Sequence, residues 1–154
     1  MRWDLEERTE DAIVAYLKTV VDGSIRVSAA WERKEPEFPA IVVHAGGTEP
    51  VSEDAEWDDN RVVAVSVAVM TEAVDELNAS GKVIRTARER NADARSEAID
   101  ALATTDLLEN VIAQGIPAIA FSQMQLAGST RTVEDKKFVT TLIIEVIAEP
   151  VTGS

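Results

Sequence analysis

Apolar residues recur along this chain at two spacings, and each spacing predicts one kind of element. From about Asp4 to Val21 they return every three or four positions, which is typical of one face of a helix. An Asp-x-x-Glu capping box ending at Glu7 opens this helix, and Asp22-Gly23 stops it. The same spacing predicts two more helices, about Asn91–Ala103 and Leu107–Ile112. An earlier start of the first of them stays open, because Ile84 and Ala87 keep its phase.

Apolar and polar residues alternate in much of the remaining chain, which predicts strands with one buried face. Five strands follow from this alternation: Ile25–Glu32, Ala40–Ala45, Arg61–Thr71, Ile116–Leu126 and Lys137–Glu149. Gly46-Gly47 is predicted to end the second strand as a turn, and Gly128–Lys136 is predicted to be the polar connection between the last two. The stretch Glu72–Arg90 has no readable period apart from a turn at Ser80-Gly81.

Two of these strands carry apolar or small residues on both faces. The third strand has valines on one face, and its other face carries Ala64, Ser66, Ala68 and Met70. The last strand is apolar on both sides, which is typical of a central strand or of one covered by another subunit. The order of elements predicts one α+β domain over residues 1–154, with 150–154 as a flexible tail. Its expected architecture is a mixed, largely antiparallel sheet of about five strands with two main helices packed on one face.

The charge of the chain narrows the range of partners. Lys and Arg total 15 and Asp and Glu total 28, so the formal net charge is −13. This charge repels a phosphate backbone, so we expect no specific binding of nucleic acid. No apolar run approaches the ~20 residues that a membrane helix needs, and the charged start of the chain does not resemble a signal peptide. We therefore expect a protein made in the cytoplasm, with no membrane partner.

The candidates for catalysis are few. The chain has no cysteine, which excludes disulfides and thiolate chemistry, and it has one histidine, His44. A catalytic triad or a histidine zinc site would have to use His44, yet no residue stands near it at metal-ligand spacing. We read His44 as a strand residue at the surface of the sheet. The sequence thus predicts no catalytic residue, no cofactor and no metal site.

An acidic stretch follows the second strand. It contains Trp57 and six carboxylates without an intervening Lys or Arg: Glu49, Glu53, Asp54, Glu56, Asp58 and Asp59. Part of it imitates the spacing of a calcium-binding loop, but the required glycine and the bidentate glutamate are missing. Weak binding of divalent ions stays open as an alternative to a solvated loop. Mutual repulsion predicts a mobile, extended segment in the free subunit.

The remaining candidates are surfaces that another protein would contact. One basic cluster interrupts the acidic chain: Lys82, Arg85, Arg88, Arg90 and Arg95. It lacks the interleaved aromatic residues of a nucleic-acid stacking surface, so a protein partner is favoured over a nucleic acid and a solvated helix face remains the plain alternative. The interface hypothesis comprises seven residues: Ala64, Ser66, Ala68, Met70, Trp57, Arg85 and Arg88.

The order of apolar segments resembles that of a known family. The segments are Ala98–Leu102, Asp106–Asn110, Ile116–Phe121 and Phe138–Pro150, behind an amphipathic opening helix and a group of strands. The arrangement is similar to that of the tail terminator, or tail-completion, proteins of long-tailed bacteriophages, and related neck and head-closure proteins share parts of it. The resemblance covers most of the chain and rests on no diagnostic motif.

The resemblance implies an α+β virion subunit that assembles into a ring, often a hexamer. The ring would cap the tail tube and contact the tail tube protein and the head–tail connector proteins, and DNA would only pass through its lumen. It would assemble in the host cytoplasm and then reside in the tail or neck of the virion. The main alternative is a monomeric or dimeric acidic adaptor without catalysis. A metal-dependent enzyme that uses the carboxylates near Asp54–Asp59 is a third and weaker reading.

Overall fold

The computed structural model of the chain describes residues 5–32, 37–51, 61–117, 119–134 and 136–151. Within these residues there are three α-helices: α1 (Leu5–Val20), α2 (Ala87–Leu102) and α3 (Leu107–Ile112). Seven strands accompany them: β1 (Arg26–Ala29), β2 (Ala40–Pro50), β3 (Arg61–Glu72), β4 (Glu76–Leu77), β5 (Val83–Arg85), β6 (Ile119–Glu134) and β7 (Lys137–Pro150).

Five of the strands form one mixed sheet in the order β1-β2-β3-β7-β6. Strands β1 and β2 pair in parallel, and every other pair in this sheet is antiparallel. Strand β7, which is apolar on both faces, lies between β3 and β6, so both of its edges are hydrogen-bonded. The predicted α+β class and the five-stranded, largely antiparallel sheet are therefore confirmed.

The hydrophobic core lies between one face of this sheet and the helices. Val63, Val65, Val67 and Val69 of β3 point to that face and are fully buried. Ile13 and Leu17 of α1 pack into the same cluster as Leu102 of α2 and Leu107 of α3. The Tyr16 hydroxyl of α1 donates a hydrogen bond of 2.6 Å to the Ala101 carbonyl of α2, which ties the two main helices together.

The strands give the molecule two distinct ends. Strand β3 runs from Arg61, which pairs with Pro50, to Glu72, which pairs with Lys137. We call the end that holds Glu72 and Lys137 the distal end, and the other end the proximal end. Helix α2 begins at the distal end, where the Asn91 side chain donates a hydrogen bond of 3.0 Å to Thr71 Oγ1.

Two predicted strand boundaries are wrong at the edge of the sheet. Strand β1 stops at Ala29, because a short 3₁₀ turn, Ala30–Glu32, replaces its predicted second half. Strand β2 does not end at Gly46-Gly47 but continues to Pro50 through a β-bulge between Ala45 and Gly47. A bulge absorbs one extra residue without breaking the pairing, so the two glycines bend the strand instead of turning it.

The predicted end of β6 is wrong as well. The strand passes Leu126 and continues to Glu134, so that most of the predicted polar connection Gly128–Lys136 is paired with β7. Two further bulges, between Phe121 and Gln123 and between Leu126 and Gly128, interrupt the alternation of apolar and polar residues from which the strand was predicted. The far half of β6 is polar because it is exposed on both faces.

The unreadable stretch after β3 also has a defined structure. Strands β4 and β5 pair as a small antiparallel hairpin, and Gly81 in its turn has a φ of +82°, as glycine readily allows. Helix α2 begins at Ala87, four residues before the predicted Asn91. Thr86 caps it, accepting the Glu89 N–H at 3.1 Å.

Candidate subunit interfaces

The first candidate surface is the face of the main sheet opposite the helices, here called the outer face. In the described part of the chain no helix packs on it, because all three helices belong to the single core on the other side. Its centre is formed by small and apolar residues of three strands that lie in register: Val42 beside Ala68 and Thr141, and Ser66 beside Ile143. These residues are half-buried, and they form a patch that is weakly solvated.

The interface residues predicted on β3 all point to this outer face. Ala64 is exposed, Ser66 and Ala68 are half-buried, and Met70 is buried within the subunit. Ala64, Ser66 and Ala68 therefore offer contact area to a neighbour, whereas Met70 offers little. Whether another subunit covers them stays a prediction.

The second candidate surface is the small hairpin of β4 and β5, which with its flanks we call the arm (residues 74–85). Four apolar side chains of the arm are between 45% and 57% exposed: Val74, Leu77, Val83 and Ile84. Sequence reading missed this surface because the apolar residues of the arm follow neither a helical nor a strand period. Clusters of exposed apolar side chains rimmed by polar groups are typical of contact sites.

The arm is fixed to helix α2 by three polar contacts at its base. Asp75 accepts the Ala87 N–H at 2.7 Å, and Arg90 donates to the Val74 carbonyl at 3.0 Å. Arg85 forms an ion pair with Asp93. At the tip, Asn78 Oδ1 accepts the N–H groups of Ser80 and Lys82 at 3.0 and 2.9 Å, which closes the turn.

The third candidate surface is a groove of about 920 Å³ at the distal end, on the helix side of the sheet. Helix α2 packs against β3 and the short α3 packs against β6, and the groove lies between α2 and the distal part of β6. The floor contains Phe138 and Thr140 of β7 and Val133 of β6, of which Val133 is 76% exposed. The rim contains three arginines, Arg88, Arg95 and Arg131, and the carboxylate Glu89.

The predicted basic cluster is divided between two sides of α2. Arg85 and Arg90 lie on the side of the arm, where their contacts stabilise it. Arg88 and Arg95 lie on the opposite side, where Arg131 of β6 joins them. Within the described residues, no carboxylate forms an ion pair with Arg88, Arg95 or Arg131. Arg131 belongs to the predicted polar connection, so sequence reading did not associate it with the cluster.

A buried carboxylate lies away from these surfaces. Glu10 of α1 accepts the Ala45 N–H at 2.8 Å, and its Oε1 lies 3.6 Å from His44 Nδ1. Burial raises the pKa of Glu10 above its ordinary value of 4.5, and the Ala45 N–H and His44 only partly oppose this effect. His44 is exposed on β2 at the sheet surface, as predicted.

The acidic stretch lies mostly outside the described residues. Glu49 is described and is exposed near the end of β2, whereas Trp57 and the five other carboxylates of the predicted set are not described. Pro50 and Arg61 pair with each other, so the acidic stretch leaves and rejoins the sheet at its proximal end.

Clusters of metal-ligating side chains and membrane-spanning helices are both absent from the described residues. Among the described residues, no group of three or more His, Asp or Glu side chains is arranged to hold a metal ion. In the same part of the chain, no helix is both long and apolar enough to cross a membrane.

Comparison with known proteins finds a similar fold in a virion. No protein-family model matches the chain, and no curated protein matches it. A solved structure titled as the virion of a native gene transfer agent (GTA) particle contains a chain similar to this one, with a TM-score of 0.50 and 11% sequence identity. The similarity covers 90% of this chain and 93% of that chain, so it shows that the two share a fold over nearly their whole length.

Proposed function

We propose that this protein is a structural subunit of a phage-like particle and that it acts as a tail terminator. In this role it assembles into a ring, most simply a hexamer, that caps the tail tube and joins it to the head connector. Its partners are further copies of itself, the tail tube protein and the connector proteins. It carries out no catalysis in this role and needs no cofactor.

The observation that carries this proposal is the outer face of the sheet. A single layer of helices covers one face, and the centre of the other face is occupied by small and apolar residues such as Val42, Ala68 and Ile143. These side chains are half-buried in the free subunit, and covering them with a second subunit would remove their remaining apolar surface from solvent. A neighbouring subunit in a ring supplies that cover.

Two other observations support the same role. The GTA virion chain shares the fold over nearly its whole length, so the likeness is not confined to a common fragment. The net charge of −13 repels the phosphates of DNA, which lets DNA pass through a lumen without adhering to its wall. Assembly in the host cytoplasm and residence in the virion follow from the role.

The role is tested by the size of the particle that the purified protein forms. Sedimentation velocity over a range of concentrations, with negative-stain imaging, should reveal a closed ring. A monomer that does not change with concentration would instead support the adaptor, and the tail terminator role would be abandoned.

A substitution on the outer face tests the surface itself. We expect Ala68→Arg to weaken assembly at least tenfold, because a charge would be buried against the neighbouring subunit, while the fold is retained. Ala113→Arg is the control, since Ala113 is exposed at the end of α3, away from the outer face. If Ala68→Arg unfolds the protein, Ala68 belongs to the core and the interface lies elsewhere.

A further inference from the structure

Four apolar side chains of the arm are exposed to solvent in the free subunit. Leu77 and Val83 are paired across the hairpin and are 55% and 45% exposed, and Ile84 beside them is 57% exposed. The three contacts to α2 hold the base of the arm in place, so these side chains are displayed on a fixed support. A contact made by a preorganised element costs less conformational entropy than one made by a mobile loop.

The groove offers the complementary surface on the other side of the same helix. Asp93 lies on the side of α2 that faces the arm, whereas Ala92 and Arg95 lie on the side that faces the groove. Both surfaces lie at the distal end, because the arm follows Glu72 and the groove contains Phe138, two positions that lie at the ends of paired strands. One molecule therefore displays an apolar projection and an apolar-floored groove on opposite flanks of α2.

We propose that the arm of one subunit inserts into the groove of the next subunit. Leu77, Val83 and Ile84 would contact Val133 and Phe138 of the neighbour, and the rim arginines would surround the base of the inserted arm. This inference deepens the proposed function, and it rests on that function only in requiring that copies of the chain associate.

The charges favour a second copy of this chain as the occupant. The described lining of the groove has three arginines and one carboxylate, in a chain where acidic residues outnumber basic ones by 28 to 15. Glu76 at the base of the arm and Glu72 just before the arm are exposed and can approach Arg88 or Arg131 of a neighbour. The cations of the arm are Lys82 near its tip and Arg85, which forms an ion pair with Asp93. Oppositely charged rims around an apolar contact fix its register and suppress wrong partners.

The placement of the two surfaces favours one symmetry of the contact. Because the arm and the groove lie on opposite flanks of α2, we propose that each subunit gives its arm to one neighbour and receives the arm of another, rather than exchanging arms with a single partner about a two-fold axis. The contact is head-to-tail, and repeated head-to-tail contacts close into a ring when the rotation between neighbours allows it.

Engineered cysteines test the contact directly, because the natural chain contains none. Leu77→Cys and Val133→Cys are made in separate chains that carry distinguishable tags, and the two are co-expressed and treated with a short bismaleimide crosslinker. We expect crosslinked dimers that contain both tags, at least tenfold more abundant than dimers from either variant alone. Crosslinking of Leu77→Cys with itself would show that arms meet arms, and it would overturn the inference.

The remaining outcomes separate this inference from the tail terminator role. If the protein forms closed rings but the two cysteines do not crosslink, the arm does not occupy the groove, and the ring itself stands. If the unmodified protein is monomeric at every concentration, both the inference and the ring fail.

A matched pair of variants gives an independent measurement. Leu77→Asp with Ile84→Asp should raise the concentration needed for assembly at least tenfold, because both side chains are more than half exposed in the free subunit and should be buried only in the contact. Ile112→Asp is the control, since Ile112 is 50% exposed on α3 and lies outside both surfaces. Equal assembly by the arm variant and the control would overturn the inference.

Discussion

The carboxylate of Glu10 is buried where α1 crosses the bulge of β2. It accepts the Ala45 N–H, and no described residue donates a hydrogen bond to its second oxygen. Because burial raises the pKa of this group from 4.5, folding favours its protonated form. Its contribution to the unfolding free energy is therefore greatest below the ordinary pKa and declines as the pH rises through the folded-state pKa.

Glu10→Gln should remove this decline. The amide oxygen still accepts the Ala45 N–H, and the side chain carries no charge at any pH. We expect the variant to match the natural protein in urea denaturation at about pH 4 and to be more stable at neutral pH. Glu10→Ala should instead lose about 1–3 kcal/mol at both pH values, because it leaves the Ala45 N–H without its acceptor. A less stable Glu10→Gln at neutral pH would show that the charged form is favoured by folding.

Single residues were predictable where local chemistry decides their environment. His44 lies at the sheet surface as expected, because alternation along a strand assigns each side chain to one face. A turn was predicted at Ser80-Gly81, and the side chain of Asn78 closes that turn in the arm. Glu10 stands three and seven residues before Ile13 and Leu17, which is the spacing of the buried face of α1. Its partner could not be read from the sequence, because the Ala45 N–H belongs to a bulge in another strand.

Helix α2 lies between the arm and the groove, and its first turn also anchors the arm. Thr86 Oγ1 accepts the Glu89 N–H at 3.1 Å, and Asp75 from the arm accepts the Ala87 N–H at 2.7 Å. Two of the backbone donors that a helix leaves unpaired at its start are thus satisfied by side chains.

We expect Thr86→Ala to lower the unfolding free energy by about 1 kcal/mol, because it removes the N-cap of α2. Thr105→Ala, at an exposed position outside the helices, is the control and should have little effect. Chemical denaturation measures both changes. If the two variants lose equal stability, the cap contributes nothing and the Asp75 contact alone starts the helix.

The elements with an unbroken period were predictable, and those with bulges were not. Helix α1 and strand β3 match the sequence reading within a residue or two, because each keeps one spacing throughout. Strands β2 and β6 continue beyond their predicted ends, because a bulge shifts which residues face the core and so breaks the alternation. The arm was invisible because its apolar residues are exposed and therefore have no periodic face.

On the scale of the whole molecule, the acidic stretch leaves and rejoins the sheet at the end opposite the groove. The acidic stretch begins and ends at the proximal end, where Pro50 pairs with Arg61. The rim arginines of the groove lie toward the distal end, and β3 spans its 12 residues between the two ends, roughly 36–40 Å. Pro50 and Arg61, between which the acidic stretch runs, therefore lie far from the groove of the same subunit.

Neutralising Asp54, Glu56, Asp58 and Asp59 to Asn or Gln tests how these charges act. If the acidic stretches of a ring converge and repel one another, as in a lumen, the variant should assemble more strongly than the natural protein at low salt. The difference should vanish at high salt, since screening confines such repulsion to about 8–10 Å at physiological ionic strength. Sedimentation velocity across a salt series is the measurement. Weaker assembly of the variant would show instead that the stretch pairs with a basic surface, such as the Lys82–Arg95 cluster of a neighbour.

The sequence predicted part of the candidate interface. The outer face was predictable because Ala64, Ser66 and Ala68 alternate with buried valines, and the pairing of the strands keeps that alternation. The groove was not, since it is formed by residues from α2, β6 and β7 that are far apart in the chain and are brought together only by the packing of α2 on β3.

The first and last described segments of the chain meet at the proximal end. Arg8, one helical turn after Leu5, donates a hydrogen bond of 2.7 Å to the Pro117 carbonyl, and Ile119, two residues later, pairs with Pro150. A flexible linker from residue 151 to residue 5 would join two positions at this end of the sheet, and the chain could be circularly permuted with a new opening between Ser80 and Gly81. We expect this permutant to fold as a monomer, with the circular dichroism of the natural protein, because the opening lies in an exposed turn outside the core. It should fail to form rings, because the cut divides the arm at its tip.

A permutant opened at Thr104-Thr105 leaves the arm whole and should both fold and assemble. The two permutants together would therefore separate what folding requires from what assembly requires.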